Sequence, residues 1–153
     1  MQVNASIKQA LHQRCTAIAA ERIEAINQII EETQLAANNE TKSSSGDKHE
    51  TGRAMAQLEI EKLTAQRSEL QNIQQTLNQI NPNRTGDKVV LGSLIYTNNG
   101  NFYLAASIGK VALENQDFFV ISSASPIGQL LINKKEGASF TLNGRAYTIS
   151  KVI

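Results

Sequence analysis

The chain has 153 residues, 41% apolar and 19% charged, with a formal net charge of +1, which is room for one ordinary domain or two small ones and a composition that folds. The near-neutral charge excludes nucleic-acid binding through a bulk basic field, and 5% aromatics with no Trp argue against a large aromatic-lined cofactor pocket. No run approaches the ~18 apolar residues of a membrane span, and the segment from Met1 lacks the basic and apolar regions of a secretory signal, so a cytoplasmic protein without membrane association is expected.

Composition switches near residue 82. Residues 1–80 hold no proline and only Gly46 and Gly52, whereas both prolines and every Phe and Tyr lie beyond residue 80. The first half therefore reads as helix and the second as strands and turns. In the first half Ile7, Leu11, Cys15, Ile18, Ile26, Ile29, Thr33 and Ala36 recur at spacings of three and four, with Arg22 as the polar member of the row. A second row runs Met55, Leu58, Leu70, Ile73, Leu77 and Ile80. Gln, Glu and Lys, good exposed-helix residues, surround both. Each row is a narrow seam over about 30 residues, or about 45 Å at 1.5 Å per residue. Neither helix can bury its seam alone, so residues 1–82 are expected to form a long antiparallel coiled-coil hairpin. The polar, breaker-rich stretch 38–47 makes its tip, near 38–50. A rigid arm with a polar tip suits a device that reaches into a partner better than an enzyme pocket.

A turn-rich linker, 81–87, leads into a second domain over 83–153. A strand is expected at 89–97, a hairpin turn at 98–101 with its Asn-Asn-Gly-Asn signal, and strands at 102–106 and 117–121. Ser125 as N-cap and Pro126 at the first helical position start a short helix, with Lys134, Lys135 and Gly137 as helix-end residues. A last hairpin turns at Asn143-Gly144 between 140–142 and 146–149. The fold class is thus α+β: a helical hairpin followed by a small antiparallel sheet around one short helix.

Two local patterns, together with this layout, carry a family resemblance. The first is Ala124-Ser125-Pro126-Ile127-Gly128-Gln129-Leu130-Leu131-Ile132-Asn133-Lys134-Lys135-Glu136-Gly137, with the strands after it through Tyr147-Thr148-Ile149. The second is Gly46-Asp47-Lys48-His49-Glu50 at the tip. The chain resembles the Gre family of bacterial transcript-cleavage factors, in which a long helical hairpin precedes a small FKBP-like β domain. The first pattern is similar to the family's S-P-x-G-x-x-L-L-G-K-K-x-G segment, with Asn133 where Gly is common and Ala138 where Asp is common. The second is similar to its G-D-x-x-E. The resemblance implies a transcription elongation factor that binds RNA polymerase and inserts the acidic tip into the secondary channel. There Asp47 and Glu50 would help hold the second catalytic Mg²⁺, near the nascent RNA, and stimulate cleavage of backtracked transcripts. It implies docking through Ser125, Pro126 and Gly128. It implies no enzyme activity of its own, no cofactor beyond the Mg²⁺ shared with the polymerase, and no small-molecule substrate. The chemistry is consistent: Mg²⁺ takes hard oxygen ligands and keeps several waters, and two metals clamp the attacking and leaving oxygens in phosphodiester hydrolysis.

Other readings of the same residues stay open. Asp47-x-x-Glu50 also fits a capping pattern at a helix start. Ser125-Pro126 also fits a plain helix start, and Gly128 close packing. Thr51-Gly52-Arg53-Ala54-Met55 departs from the family's acidic and aromatic continuation, which leaves room for a channel-binding regulator or inhibitor without cleavage activity. A non-catalytic hairpin scaffold and an FKBP-like prolyl isomerase are further alternatives, the last disfavoured by the few aromatics available for a pocket. Cys15, set in an apolar row, reads as a core thiol rather than a nucleophile. The single thiol excludes an internal disulfide or a cysteine-based zinc site. His49, Lys42, Lys48 and Arg53 flank the tip acids and read as a solvated mixed-charge surface with access to RNA phosphates. Residues 1–82 carry 8 Lys+Arg and 10 Asp+Glu, so the hairpin is no basic grip, and any contact with nucleic acid is expected to be indirect, through a protein partner.

Overall fold

The computed structural model describes the backbone over residues 2–43 and 46–153, and side chains over 6–39 and 50–153. Two long helices come first, α1 (Gln2–Ser43) and α2 (Gly46–Gln79). They form the expected helical hairpin. α1 stays helical through most of the stretch expected to be a loop tip: its Asn, Thr and Ser residues are weak helix formers, not breakers. Among the described residues no helix is long and apolar enough to cross a membrane.

The buried rows agree with the expected ones at Ile7, Leu11 and Cys15 on α1 and at Leu77 and Ile80, and depart from them over the rest of the two helices. On α1, Ile7, Leu11, Cys15, Ala19 and Ile30 are buried, with Ile23, Ile26 and Asn27 half-buried between them. Arg22, Ile29 and Ala36 face solvent. A row through Arg22 would have set a charge in the seam; Ala19 is buried there instead, with Ile18 and Ile23 half-buried on either side. On α2 the buried row runs through Leu63 and Leu77, flanked by half-buried Ala56, Ile60, Arg67, Leu70 and Ile73. Met55 and Leu58, expected in the seam, are 67% and 66% exposed.

The chain forms two compact units, Ile18–Asn72 and Met1–Ala17 with Ile73–Ile153. In the first, Arg67 Nη1 donates to Asn27 Oδ1 at 2.7 Å, a polar tie between α1 and α2. Ala19, Ile30 and Leu63 form its apolar seam.

The second unit holds the first turns of α1, the last turns of α2, and six strands with one short helix. These are β1 (Leu94–Thr97), β2 (Gly100–Leu104), β3 (Gly109–Leu113), β4 (Gln116–Ile121), α3 (Pro126–Leu131), β5 (Ser139–Leu142) and β6 (Arg145–Val152). The sheet order is β3-β4-β2-β1-β6-β5. It is antiparallel with one exception: β2 and β4 run parallel, with Phe102 beside Phe119 and Leu104 beside Ile121. The reason lies in β3, a strand not expected from the sequence. The chain leaves β2 through 105–108, passes the place of β4, and returns in a β3–β4 hairpin, so β4 slots between the two. Glu114 and Asn115 turn that hairpin with φ of 50° and 64°. Two left-handed residues make the tight hairpin turn that Asn-Gly usually signals, and Glu-Asn carries no such signal.

The first strand is also shorter than expected, because 89–93 turns. Gly92 has φ of 94° and a Cβ there would meet Ile80 Cγ2 at 2.9 Å. Val89 pairs instead with the segment after α3, its N–H donating to Lys134 O at 2.8 Å. The turns at 98–101 and Asn143-Gly144 lie where expected, the latter with φ of 53° and 77°.

Both faces of the sheet centre are covered. Ile95, Phe102, Leu104, Tyr147 and Ile149 form a core with Leu131 of α3 and Val89. Tyr103, between Phe102 and Leu104, points to the other face, where it meets His12 of α1. That double burial explains why 102–106 reads as a continuous apolar run rather than an alternation.

Candidate functional site

The tip acids sit at the start of α2. Helix α2 begins at Gly46, so Asp47 and Glu50 occupy its first two turns, three residues apart and on one face. Both have helical backbones, whereas an N-cap residue does not. Carboxylates there also meet the positive end of the helix dipole. Glu50 is exposed. The side chain of Asp47, like those of Lys42, Lys48 and His49, lies outside the described residues. Arg53, one turn on, lines a shallow groove of about 260 Å³ with Gln34, Asn38 and Ile60. Among the described residues no cluster of three His, Cys, Asp or Glu side chains is placed to hold a metal ion. Two carboxylates suit Mg²⁺ by hardness but fill only part of its octahedron, so such a site would need ligands from elsewhere.

The second predicted group builds the start of α3. Ser125 is the N-cap, with extended backbone (φ −65°, ψ 156°) and Pro126 following at the first helical position. Its Oγ accepts from Gly128 N–H at 3.1 Å and donates to Ser122 O at 2.7 Å, closing the turn from both sides. Gly128 is buried beneath this turn, and a Cβ there would lie 2.2 Å from Ser122 O. Of the three residues expected on a docking surface, then, Gly128 offers none. Pro126 is exposed and Ser125 partly so. The helix ends earlier than expected, at Leu131. Asn133 follows with φ of 68°, a left-handed position that Asn tolerates when Gly is absent, which accounts for Asn in that place of the motif.

A third group, not anticipated as a cluster, lies at the foot of the hairpin. His12 Nδ1 is 2.7 Å from the Tyr103 hydroxyl, with the rings edge to face. His12 also hydrogen-bonds the Leu77 carbonyl of α2. A neutral ring can donate to that carbonyl from one nitrogen and accept the tyrosine O–H at the other. Burial pushes His12 below its ordinary range, the Leu77 carbonyl pulls the other way, and the charge of Lys8 adds to the lowering. Burial raises Tyr103 and pushes the Cys15 thiol up to about 12, against a small opposing pull from Arg14. A thiol so held stays protonated at neutral pH and is a core residue, as its place in the apolar row suggested. Lys8, only 2% exposed, donates from Nζ to Arg84 O at 2.7 Å and to Ile153 O at 3.0 Å. A sequence signal for this group existed: Lys8 and His12 are one turn apart, each beside a member of the apolar row.

No protein-family model matches the chain, and no curated protein or solved structure matches it either.

Proposed function

We propose that this protein is a cytoplasmic transcription elongation factor of the Gre type, acting on RNA polymerase. In this reading the FKBP-like β domain docks on the polymerase and the hairpin turn enters the secondary channel. Asp47 and Glu50 then complete a weakly held second Mg²⁺ beside the nascent RNA, and the polymerase cleaves its own backtracked transcript. The protein is an accessory factor in this scheme, with no cofactor of its own and no direct grip on DNA. One observation carries the reading: both acids of the tip pattern fall in the first two turns of α2, on one face, at the turn of a long hairpin. The Ser125-Pro126 turn, with Pro126 exposed, supports docking near the start of α3.

The test is cleavage in a purified backtracked elongation complex. Wild-type protein is expected to accelerate cleavage in proportion to Mg²⁺. Asp47→Asn and Glu50→Gln are expected to lose that acceleration while still binding polymerase, because a metal ligand acts on the chemical step. Full activity in Asp47→Asn would remove Asp47 from the site. Binding without any acceleration by the wild type would leave a channel-occupying regulator instead.

A further inference from the structure

The turn before β1 holds two aliphatic side chains out of the core. Val90 and Leu91 are 49% and 41% exposed. Their backbone is fixed: Val90 N–H donates to Ser93 Oγ at 2.9 Å and Ser93 N–H to Val90 O at 3.0 Å. Gly92 N–H donates to Leu104 O at 2.6 Å, which ties the turn to β2. A knuckle ordered in advance loses little conformational entropy when a partner covers it.

The surroundings of the knuckle are basic. Lys88, two residues before Val90, bridges to Lys135 in antiparallel register. Residues so paired face one side, and like charges placed opposite each other are destabilising. Both lysines are exposed, Lys134 is half-buried, and exposed Arg84 lines one cavity with Lys88, Val90 and Leu91. The acidic neighbours in sequence are Asp87 and Glu136, and Glu136 Oε1 already accepts from the Val152 N–H.

A face of the opposite character lies on α1. Between Ile18 and Asn39 the helix carries Glu21, Glu24, Glu31 and Glu32 against one cation, Arg22. Glu24, Gln28, Glu31 and Leu35 recur at steps of four, three and four, the spacing of a single helix face. All four are exposed, Leu35 at 56%. The face is therefore an acidic stripe with an aliphatic end.

We propose that two copies of this chain associate, the Glu24–Leu35 face of one lying on the Val90–Leu91 knuckle of the other. Glu24 and Glu31 then meet Lys88, Lys135 and Arg84, and Leu35 meets the two exposed aliphatic side chains. Charge complementarity selects a second copy as the occupant. Residues 1–82 carry 8 Lys+Arg and 10 Asp+Glu, and residues 83–153 carry 7 and 4, so unlike halves of two copies attract. Carboxylates from the second copy also answer the like-charged Lys88–Lys135 bridge. A nucleic acid fits less well, because no aromatic side chain lines the cavity for a base to stack on. The association does not depend on the transcription reading.

Sedimentation equilibrium of the full-length protein tests this. The expected result is a dimer that forms as protein concentration rises and weakens as salt is added, because salt screens exposed charges. Lys88→Glu with Lys135→Glu, and separately Glu24→Lys with Glu31→Lys, should each weaken association about tenfold or more. Melting temperatures should stay unchanged, since all four residues are exposed. An equimolar mixture of the two double variants should associate again, because the first keeps the acidic α1 face and the second keeps the basic patch. A monomer at every concentration, a dimer indifferent to salt or to either reversal, or a mixture that stays monomeric would overturn the proposal.

Discussion

The Tyr103 hydroxyl, wholly buried at the centre of β2, lies 2.7 Å from His12 Nδ1 in the third turn of α1. One hydrogen bond thus joins the middle of the sheet to the foot of the hairpin, across 91 residues of sequence. Tyr103→Phe keeps the ring and its packing but leaves the histidine nitrogen without its partner. The expected cost is about 1 kcal/mol by urea unfolding, since His12 is half-buried and its nitrogen loses a hydrogen bond. Removing both groups, in Tyr103→Phe with His12→Leu, should cost less than the two single losses added together.

His12 also sets a pH dependence. In the folded protein His12 titrates below its ordinary 6.5, because burial disfavours the imidazolium, against an opposing pull from the Leu77 carbonyl, and Lys8 repels it. As pH falls through 6.5 the unfolded chain takes up the proton first. Stability contributed here is therefore complete above 6.5 and declines below it, until the folded form also protonates. Unfolding free energy measured between neutral and mildly acidic pH should show this decline. His12→Gln, which cannot titrate, should show a flatter curve than the wild type over the same window.

The helices, the sheet and the short α3 were legible in the sequence because their signals are local. The absence of proline from residues 1–80, the Asn-Gly turn at Asn143-Gly144 and the Ser125-Pro126 cap each act within a few residues. What escaped was set by tertiary packing. The seam of α1 passes through Ala19 while Arg22 stays exposed, so the charge that spacing alone set in the row is left in solvent. Strand β3 buries only Val111 and lies at a sheet edge, so it lacks the alternation that marks a strand. The cluster of Lys8, His12 and Tyr103 joins the first turns of α1 to β2, 91 residues on from His12, which no window on the sequence brings together. For the tip, the sequence placed the acids at a helix start, and the local pattern could not choose between a cap and a ligand.

The turned seam of α2 makes a direct comparison possible between two leucines five residues apart. Leu63 is 5% exposed and Leu58 66%. Leu63→Ala should cost about 2–4 kcal/mol of helical-hairpin stability, the usual loss for a large-to-small change in a packed interior. Leu58→Ala should stay within about 0.5 kcal/mol, as surface changes do. Thermal unfolding followed by helical circular dichroism measures both. A larger effect at Leu58 would restore the row first read from spacing.

At α3, fold and binding can be separated by choosing the right residue. Gly128→Ala forces a Cβ to 2.2 Å from the Ser122 carbonyl and 2.9 Å from Ser125 Oγ, in a turn already closed by both atoms. The backbone oxygen cannot rotate away as a side chain can, so the turn must open, at an expected cost of about 1–3 kcal/mol. Ser125→Ala removes the cap, at about 0.5–2 kcal/mol, and also frees Gly128 N–H. Pro126 is different. It is exposed, it has no N–H to lose, and the first helical position tolerates most residues, so Pro126→Ala should change stability by about 0.5 kcal/mol or less. A loss of polymerase binding in Gly128→Ala would therefore report unfolding of the turn, whereas a loss in Pro126→Ala at unchanged melting temperature would report a surface contact. If Pro126→Ala binds polymerase as well as the wild type, docking at the start of α3 is wrong, whatever the tip does.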